Sequence, residues 1–455
     1  MDASKVDYLI VGAGAMGVAF ADVLLHESSA TFAIVDRNHQ PGGHWNVAYP
    51  YVRLHQPSSF YGVNSRALGA DSIDTRGNNA GLYELASKAE ICAYYQDVMR
   101  EFIDSGRVQY FPMSEYLGDG KIRSLVSETT RQIDAGTLVD ATFMNVRVPA
   151  MVAPSFDVAE TLRCVPPNEL ALLHGEFQHY TVIGAGKTSF DACLFLLDSG
   201  VDPDCIRWIK PREAWLWDRA FAQAGELFER SVRQLSLGQV KAIAESESIA
   251  DLYERSEQTG MLLRIDTSVE PSMFRCATVT KTEIEKLRRI SDVVRLGRVE
   301  SIEGSQLVLE QGVVAHKPNT LFVDCTADGL ARRPPEPVFS GNRITLQAVR
   351  TCQQVFSAAF IAHVEVTQSD PAHKNLLCTP VPHPDSASDY MSNVLADLVN
   401  GLAWQQDESL QAWMKAARLD GFSSSAVSPE ADAAFLEEFT GYGMRAAEKL
   451  MAYLG

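Results

Sequence analysis

Two glycine-rich turns carry the most legible chemistry in this sequence. The first lies in VDYLIVGAGAMGVAFADVLL (Val6–Leu25), where Gly12, Gly14 and Gly17 fit G-x-G-x-x-G. Asp36 follows about 20 residues later, at the end of the next apolar run, TFAIVD. In that setting Gly12 permits a tight turn, Gly14 lets backbone approach a pyrophosphate, and Gly17 lets a helix pack close to a strand. Asp36 would accept hydrogen bonds from an adenosine ribose and repel a 2′-phosphate. The strand, turn, helix and acid together predict a dinucleotide site. The second turn lies in HYTVIGAGKTSFDACLFLL (His179–Leu197), with Gly184 and Gly186 in place and Ser189 in the third position. Lys187 and Thr188 add donors for a pyrophosphate held by backbone N–H groups. Where the first unit has Asp36 this one has Lys210, with Arg212 just beyond. A basic residue there suits the 2′-phosphate of NADPH over NADH. The competing readings are a degenerate second unit kept as scaffold, and Lys210 and Arg212 as solvated loop charges.

The elements that must position these residues form a β-α-β order present twice. Around them, residues 82–105 have helical spacing, and 218–290 are polar and mostly helix-forming. Val293–Gly312 reads as short strands, Thr320–Gly329 as a buried strand running into a loop, and the chain from 387 as helical. TLVDATFMNVRVPAM (Thr137–Met151) and TLFVDCTADGLARRPP (Thr320–Pro335) are self-similar and mark the crossings between units. The expected fold is α/β, with two Rossmann-like dinucleotide-binding domains and a helical C-terminal region. Residues 1–150 and 320–386 would form the first dinucleotide-binding domain, which is discontinuous. Residues 170–319 would form an inserted NAD(P) domain with a helical insertion at 218–290, and residues 387–455 the helical region.

The run PGGHWNVAYPYVRLHQPSSFYGVNSR (Pro41–Arg66) resembles the flavin-dependent monooxygenases of the two-dinucleotide-binding-domain type, the class B or FMO-like family. The residues that carry the resemblance are Gly42, Gly43, Trp45, Tyr49, Pro50, Pro57, Ser58, Tyr61 and Asn64. It spreads over roughly residues 6–210, with a further point near 320–330. The resemblance implies FAD at the first turn, with Gly42 and Gly43 along it and Trp45 covering part of it. Asn64 would be the catalytic residue, beside the reactive ring, and Asp328 and Gly329 would approach the ribityl chain or pyrophosphate. It further implies that NADPH reduces FAD and that O₂ adds to give a C4a-hydroperoxyflavin. Oxygen then passes to nitrogen or sulfur of a small molecule. Taken alone, Asn64 reads as a turn residue and Trp45 as a core aromatic. The sequence departs from the family at Phe143, where a glycine is usual. It also lacks, in LALLHGEFQHYTVIGAG (Leu170–Gly186), the F-x-G-x-x-x-H stretch of Baeyer–Villiger relatives. The alternatives are an NAD(P)H-dependent flavin reductase or dehydrogenase of the same fold, and a non-catalytic flavin- or nucleotide-binding protein.

Composition bounds the partners. With 58 acidic and 40 basic residues the net charge is −18, which argues against nucleic acid and anionic membrane surfaces. The expected partners are a small-molecule substrate and O₂, with a homo-oligomer left open. The eight cysteines are too scattered for a zinc knuckle or a CxxC dithiol, so no metal is expected and they read as buried thiols of a reducing compartment. Met1–Lys5 lacks the basic stretch of a secretory signal, so a cytoplasmic protein is expected. Trp215 and Trp217 read as packing or a lid, and Gln347, Arg350, Gln353 and Gln354 as a solvated helix face.

Overall fold

The computed structural model describes residues 4–421 and 429–455. The first passage contains β1 (Ser4–Val11), α1 (Ala15–Glu27), β2 (Phe32–Val35), α2 (Lys88–Asp104), β3 (Val108–Phe111), β4 (Ser114–Gly118), β5 (Lys121–Ser124) and β6 (Thr130–Asp140). The second runs through β7 (Asp157–Val158), β8 (Arg163–Val165), α3 (Pro167–Leu173), β9 (His179–Ile183), α4 (Lys187–Asp198), β10 (Ile206–Ile209) and β11 (Ala214–Asp218). It continues with α5 (Gln234–Glu245), α6 (Ile249–Gln258), β12 (Leu262–Leu263), β13 (Met273–Val279), α7 (Lys281–Leu287) and β14 (Asp292–Val294). β15 (Val299–Ile302), β16 (Gln306–Leu309), β17 (Gly312–Ala315) and β18 (Thr320–Asp324) close that passage. The last contains β19 (Phe339–Ser340), β20 (Arg343–Thr345), α8 (Gln354–Thr367), α9 (Pro371–Leu377), α10 (Ala387–Trp404), α11 (Glu408–Ala416) and α12 (Pro429–Leu454).

The first sheet has the order β19-β20-β6-β1-β2-β3, and the β4–β5 hairpin continues from β6. The second is a five-stranded parallel sheet, β14-β10-β9-β18-β8. Helix α1 is buried almost all round, from Met16 to Leu25, because α8, buried from Val355 to Val364, covers the side turned away from the sheet. A helix covered on two sides needs apolar residues on both. Helix α2 has one apolar face instead, with Ile91, Tyr94, Tyr95, Val98, Met99 and Phe102 buried, and starts on a Ser87–Glu90 capping box.

The self-similar segments occupy equivalent places, each in its own sheet. Ala141 N–H donates to the Val11 carbonyl (3.0 Å) and Cys325 N–H to the Ile183 carbonyl (2.8 Å). Asp140 Oδ1 accepts from the Thr142 N–H and hydroxyl, and Asp324 Oδ1 from those of Thr326. This corrects the expected boundary at 320. Strand β18 pairs with β8 and β9 in the second sheet, and the chain returns to the first sheet at β20, which lies parallel to β6. The stretch 218–290 is also not a purely helical insertion. It holds β12 and β13, which flank β11 in a small third sheet. Trp215 and Trp217 lie on β11, and Trp215 stacks on Tyr253.

A polar node ties the two units together. The guanidinium of Arg219, 1% exposed, pairs with Glu283 (2.8 Å) and donates to the His55 carbonyl (3.0 Å) and Asn79 Oδ1 (3.1 Å). Burial pushes the Glu283 carboxyl up, but Lys187 and Arg219 outweigh it and hold the group below its ordinary value. Removing the cation strands a buried carboxylate. Arg219→Met is expected to cost about 3–5 kcal/mol in urea unfolding. Adding Glu283→Gln should recover part of that loss, and a double variant no more stable than the single one would contradict the pairing.

Candidate functional site

In the first unit, Gly12 N–H donates to the Val35 carbonyl (2.8 Å) as the chain leaves β1 with φ 107°. A Cβ on Gly12 would meet Thr142 Cγ2 at 3.2 Å, and one on Gly17 would sit 2.0 Å from the Gly12 carbonyl oxygen. Only glycine fits both. Gly42 N–H donates to the Ala13 carbonyl (2.8 Å), and a Cβ on Gly43 would lie 3.0 Å from the Gly14 Cα. The two glycine turns therefore touch. Helix α1 starts at Gly14 with no side-chain cap and no acid in its first turn, leaving N–H groups for an anion. Asp36 Oδ2 accepts from Ala13 N–H (2.6 Å) and Oδ1 from Asn38 (2.7 and 2.9 Å). The Tyr110 hydroxyl, on the neighbouring strand and near Asp36, is buried without a hydrogen-bond partner among the described residues. Uncapped amides, an orphaned hydroxyl and a carboxylate at the strand end fit a dinucleotide here.

Two residues of the 41–66 run to which the resemblance gives a role also have partners within the protein. The Trp45 indole N–H donates to the Tyr61 hydroxyl (2.6 Å), and the ring sits in the main core. Asn64 Oδ1 accepts from Leu419 N–H (3.2 Å). Beside it the Arg418 guanidinium donates to the carbonyls of Ser59 (2.6 Å), Tyr61 (2.7 Å) and Val63 (2.6 Å). The C-terminal region thus closes over residues 59–64. No local spacing announces this contact, since its partners are more than 350 positions apart.

The second turn repeats the first. Gly184 N–H donates to the Ile209 carbonyl (3.0 Å), and a Cβ there, at φ 137°, would lie 2.7 Å from the Cys325 carbonyl oxygen. Helix α4 starts at Gly186, again uncapped. Ser189 is buried and turns its hydroxyl back onto the Gly186 carbonyl (2.7 Å). Lys187 pairs with Asp191, which also accepts from the Tyr49 hydroxyl (2.7 Å), so the 41–66 run is tied to α4. A cavity of about 640 Å³ opens over this turn, lined by Gly186, Lys187 and Thr188 and by the guanidinium-bearing Arg212, Arg275, Arg298 and Arg332. Uncapped amides beside four arginines fit an anionic nucleotide.

Lys210 is not part of that lining. Its ammonium is buried, paired with Glu213 (2.5 Å) and placed over the Trp208 ring (4.4 Å). Burial pulls its pKa down while Glu213 holds it up. The basic residue that does face the cavity from this loop is Arg212, bidentate to Asp385 (3.0 and 3.1 Å). Asp385 also pairs with Arg275 and Arg332. Burial alone would raise its carboxyl, but hydrogen bonds from Arg212 and Arg275 hold it well below the carboxylate range. Asp328 accepts from Arg275 (2.8 Å) and Arg332 (3.0 Å) in the same network. It lines the cavity over the second glycine turn, not the first, because β18 stays in the second sheet. Asp385 and the exposed Arg298 were missed by sequence reasoning, as neither belongs to a motif.

An apolar cavity of about 600 Å³ shares His55 with the one just described and is walled by Trp217, Phe221, Phe228, Tyr390 and Phe439. Arg350 and Gln353 line it, correcting the expected solvated face. Arg350 pairs with Asp420 and stacks on Phe356 (3.8 Å), and Gln347 is buried on the Glu336 carbonyl (2.8 Å). The cysteines need correction too. Cys276 and Cys352, both lining this cavity, are joined in a disulfide, while the other six are free. Among the described residues no group of His, Cys, Asp and Glu is arranged to hold a metal, and no helix is long and apolar enough to cross a membrane.

The chain matches no known family profile. It is 52% identical over 417 residues to uncharacterized proteins of Mycobacterium tuberculosis (strain ATCC 25618 / H37Rv) and Mycobacterium bovis, covering 91% of this chain and 78% of theirs. It belongs to their family. Among solved structures it is similar to a polycyclic ketone monooxygenase from Thermothelomyces thermophila, at 12% identity and a TM-score of 0.52 over 98% of this chain and 90% of that one. It is also similar to cyclohexanone monooxygenase from Rhodococcus sp. Phi1 bound to NADP⁺, at 14% identity and a TM-score of 0.50 over 100% and 99%. The chain thus shares the fold of these two monooxygenases.

His55, between the two cavities, carries a pH consequence. Burial, with Lys187 and Arg219 adding to it, pushes this imidazole down to about 3. The unfolded chain protonates the ring near pH 6.5 and the folded chain does so only far lower, so stability falls as pH drops below 6.5. His55→Gln is expected to flatten that fall by about 2 kcal/mol between pH 7 and pH 5 in denaturant titrations. An unchanged slope would contradict a buried neutral ring.

Proposed function

We propose that the protein is an FAD- and NADPH-dependent monooxygenase that oxygenates nitrogen or sulfur of a small, largely apolar molecule. The observation that carries this reading is one chain with two uncapped glycine turns. The second opens into a cavity lined by four arginines, and an apolar cavity shares its His55 wall. Flavin, when bound, would supply the hydride-accepting and oxygen-activating chemistry. The first-turn amides of α1 would hold its pyrophosphate and Asp36 its ribose. Asn64, whose Oδ1 is held by the Leu419 N–H, would stand beside the reactive flavin ring as the catalytic residue, a proposal that follows the family resemblance. At the second turn the α4 amides and Thr188 would hold the NADPH pyrophosphate. Arg212 and Arg298 would meet the 2′-phosphate. His55, neutral near pH 7, offers a hydrogen bond between the cavities without adding charge. The aromatic walls exclude water, which suppresses side reactions. A nitrogen or sulfur lone pair reacts without a base to create it, so this oxygen transfer requires no acid–base pair from the cavity wall.

The test is incubation of purified protein with NADPH, ¹⁸O₂ and a panel of tertiary amines and thioethers. One ¹⁸O atom in the product, in step with NADPH consumed, is expected. NADPH consumed with hydrogen peroxide as the sole oxygen product would move the protein to the reductase reading. The cofactor assignment has its own test. Arg212→Ala should raise the KM for NADPH about tenfold, the loss of one charge-assisted hydrogen bond, and leave that for NADH unchanged. Lys210→Met should lower stability without that selective change.

A further inference from the structure

We propose that Cys276 and Cys352 form a thiol–disulfide exchange site that faces the apolar cavity and reacts with small-molecule thiols and disulfides. The two residues are 76 positions apart, with Cα atoms 6.3 Å from each other and their sulfurs bonded. Cys276 lies on β13 where its register with β11 shifts, between the pairs Trp215–Phe274 and Trp217–Thr278. Cys352 lies in the loop that leads into α8. Both hold the left-handed backbone, at φ 55° and 56°, which is uncommon for a residue with a side chain. Each chain segment is therefore shaped to present its sulfur to the other, and both residues line the cavity.

Two further features separate this pair from the remaining cysteines. His383 Nδ1 lies 4.0 Å from Cys352 Sγ. Burial, with Arg275 adding to it, lowers that imidazole to about 4, so near neutral pH it is an uncharged hydrogen-bonding neighbour of the Cys352 sulfur. By contrast Cys193, Cys325 and Cys378 are buried and Cys92 and Cys164 half-buried, and burial pushes all five thiols up, which disfavours the reactive thiolate.

The exchange balances with a thiol RSH as the co-reactant. Its thiolate attacks one sulfur of the pair, the protein S–S bond breaks, and the other sulfur leaves as a thiolate that takes up the proton. The thiolate of a second RSH then attacks the small-molecule sulfur of the mixed disulfide, and the protein sulfur leaves as a thiolate that takes up the proton. RSSR is released, both protein sulfurs end as thiols, and two electrons have passed from the two small thiols to the protein. The bond spans from β13 to the loop before α8, so its reduction removes a covalent tie between the second unit and the first.

The test equilibrates the folded full-length protein with 2-mercaptoethanol and its disulfide in varied ratio, then quenches with acid, denatures and counts thiols. In excess disulfide the count should be six, and in excess thiol eight, with the change mapped by alkylation and mass spectrometry to Cys276 and Cys352. A count fixed at eight or at six across all ratios would overturn the proposal, as would a change at any other cysteine. Cys352→Ser should leave Cys276 carrying one mercaptoethanol adduct in excess disulfide. An unmodified Cys276 in that folded variant would overturn the claim that the site is reached from the cavity. This test is independent of flavin and oxygen chemistry.

Discussion

At Gly12 and Gly184 the chain leaves a strand in the left-handed backbone region, at φ 107° and 137°, and packs its turn onto a neighbouring strand end. A Cβ would meet Thr142 Cγ2 at 3.2 Å in one case and the Cys325 carbonyl oxygen at 2.7 Å in the other. Much follows from that double contact. It lets α1 and α4 start directly beside β1 and β9, so the uncapped first turns of both helices lie at the strand ends. It also places β6 and β18 against the central strands, each ending in the same Asp–Thr hydrogen bonds. A helix N-terminus beside a parallel sheet is where a pyrophosphate is held in this fold class. The chain builds that arrangement twice.

Charge is then distributed unequally between the two turns. The first has a carboxylate, Asp36, at its strand end. The second has guanidinium groups gathered around Asp385, against a chain whose net charge is −18. Local positive potential in an acidic protein needs carboxylates of its own to hold the arginines in place, and Asp328 and Asp385 do that. The buried Arg219–Glu283 pair performs a different task, joining His55 and Asn79 of the first unit to β13 and α7 of the second.

What was legible in the sequence is what short-range spacing encodes. Gly12, Gly14, Gly17, Asp36, Gly184 and Gly186 announce their elements because a strand, a tight turn and a helix must follow within a few residues. Even the likeness of the two Thr-Leu-Val-Asp segments was visible. Their assignment to one sheet failed because equivalent sequence marks an equivalent role in each sheet. Lys210 shows a second failure: its position on the loop was read correctly, but Glu213, three residues on, turns its ammonium inward. Asp385, Arg298, Arg418 and the Cys276–Cys352 bond were not legible. Each acts on a partner or cavity set by tertiary packing, for which no local pattern exists.

Anaerobic titration of the purified protein with NADPH decides whether the two glycine turns hold a flavin and its reductant. A bound flavin is expected whose visible absorbance bleaches with one equivalent of NADPH per flavin, and far more slowly with NADH. A flavin-free protein that takes up no added FAD, or a bound flavin that NADPH does not reduce, would contradict that expectation.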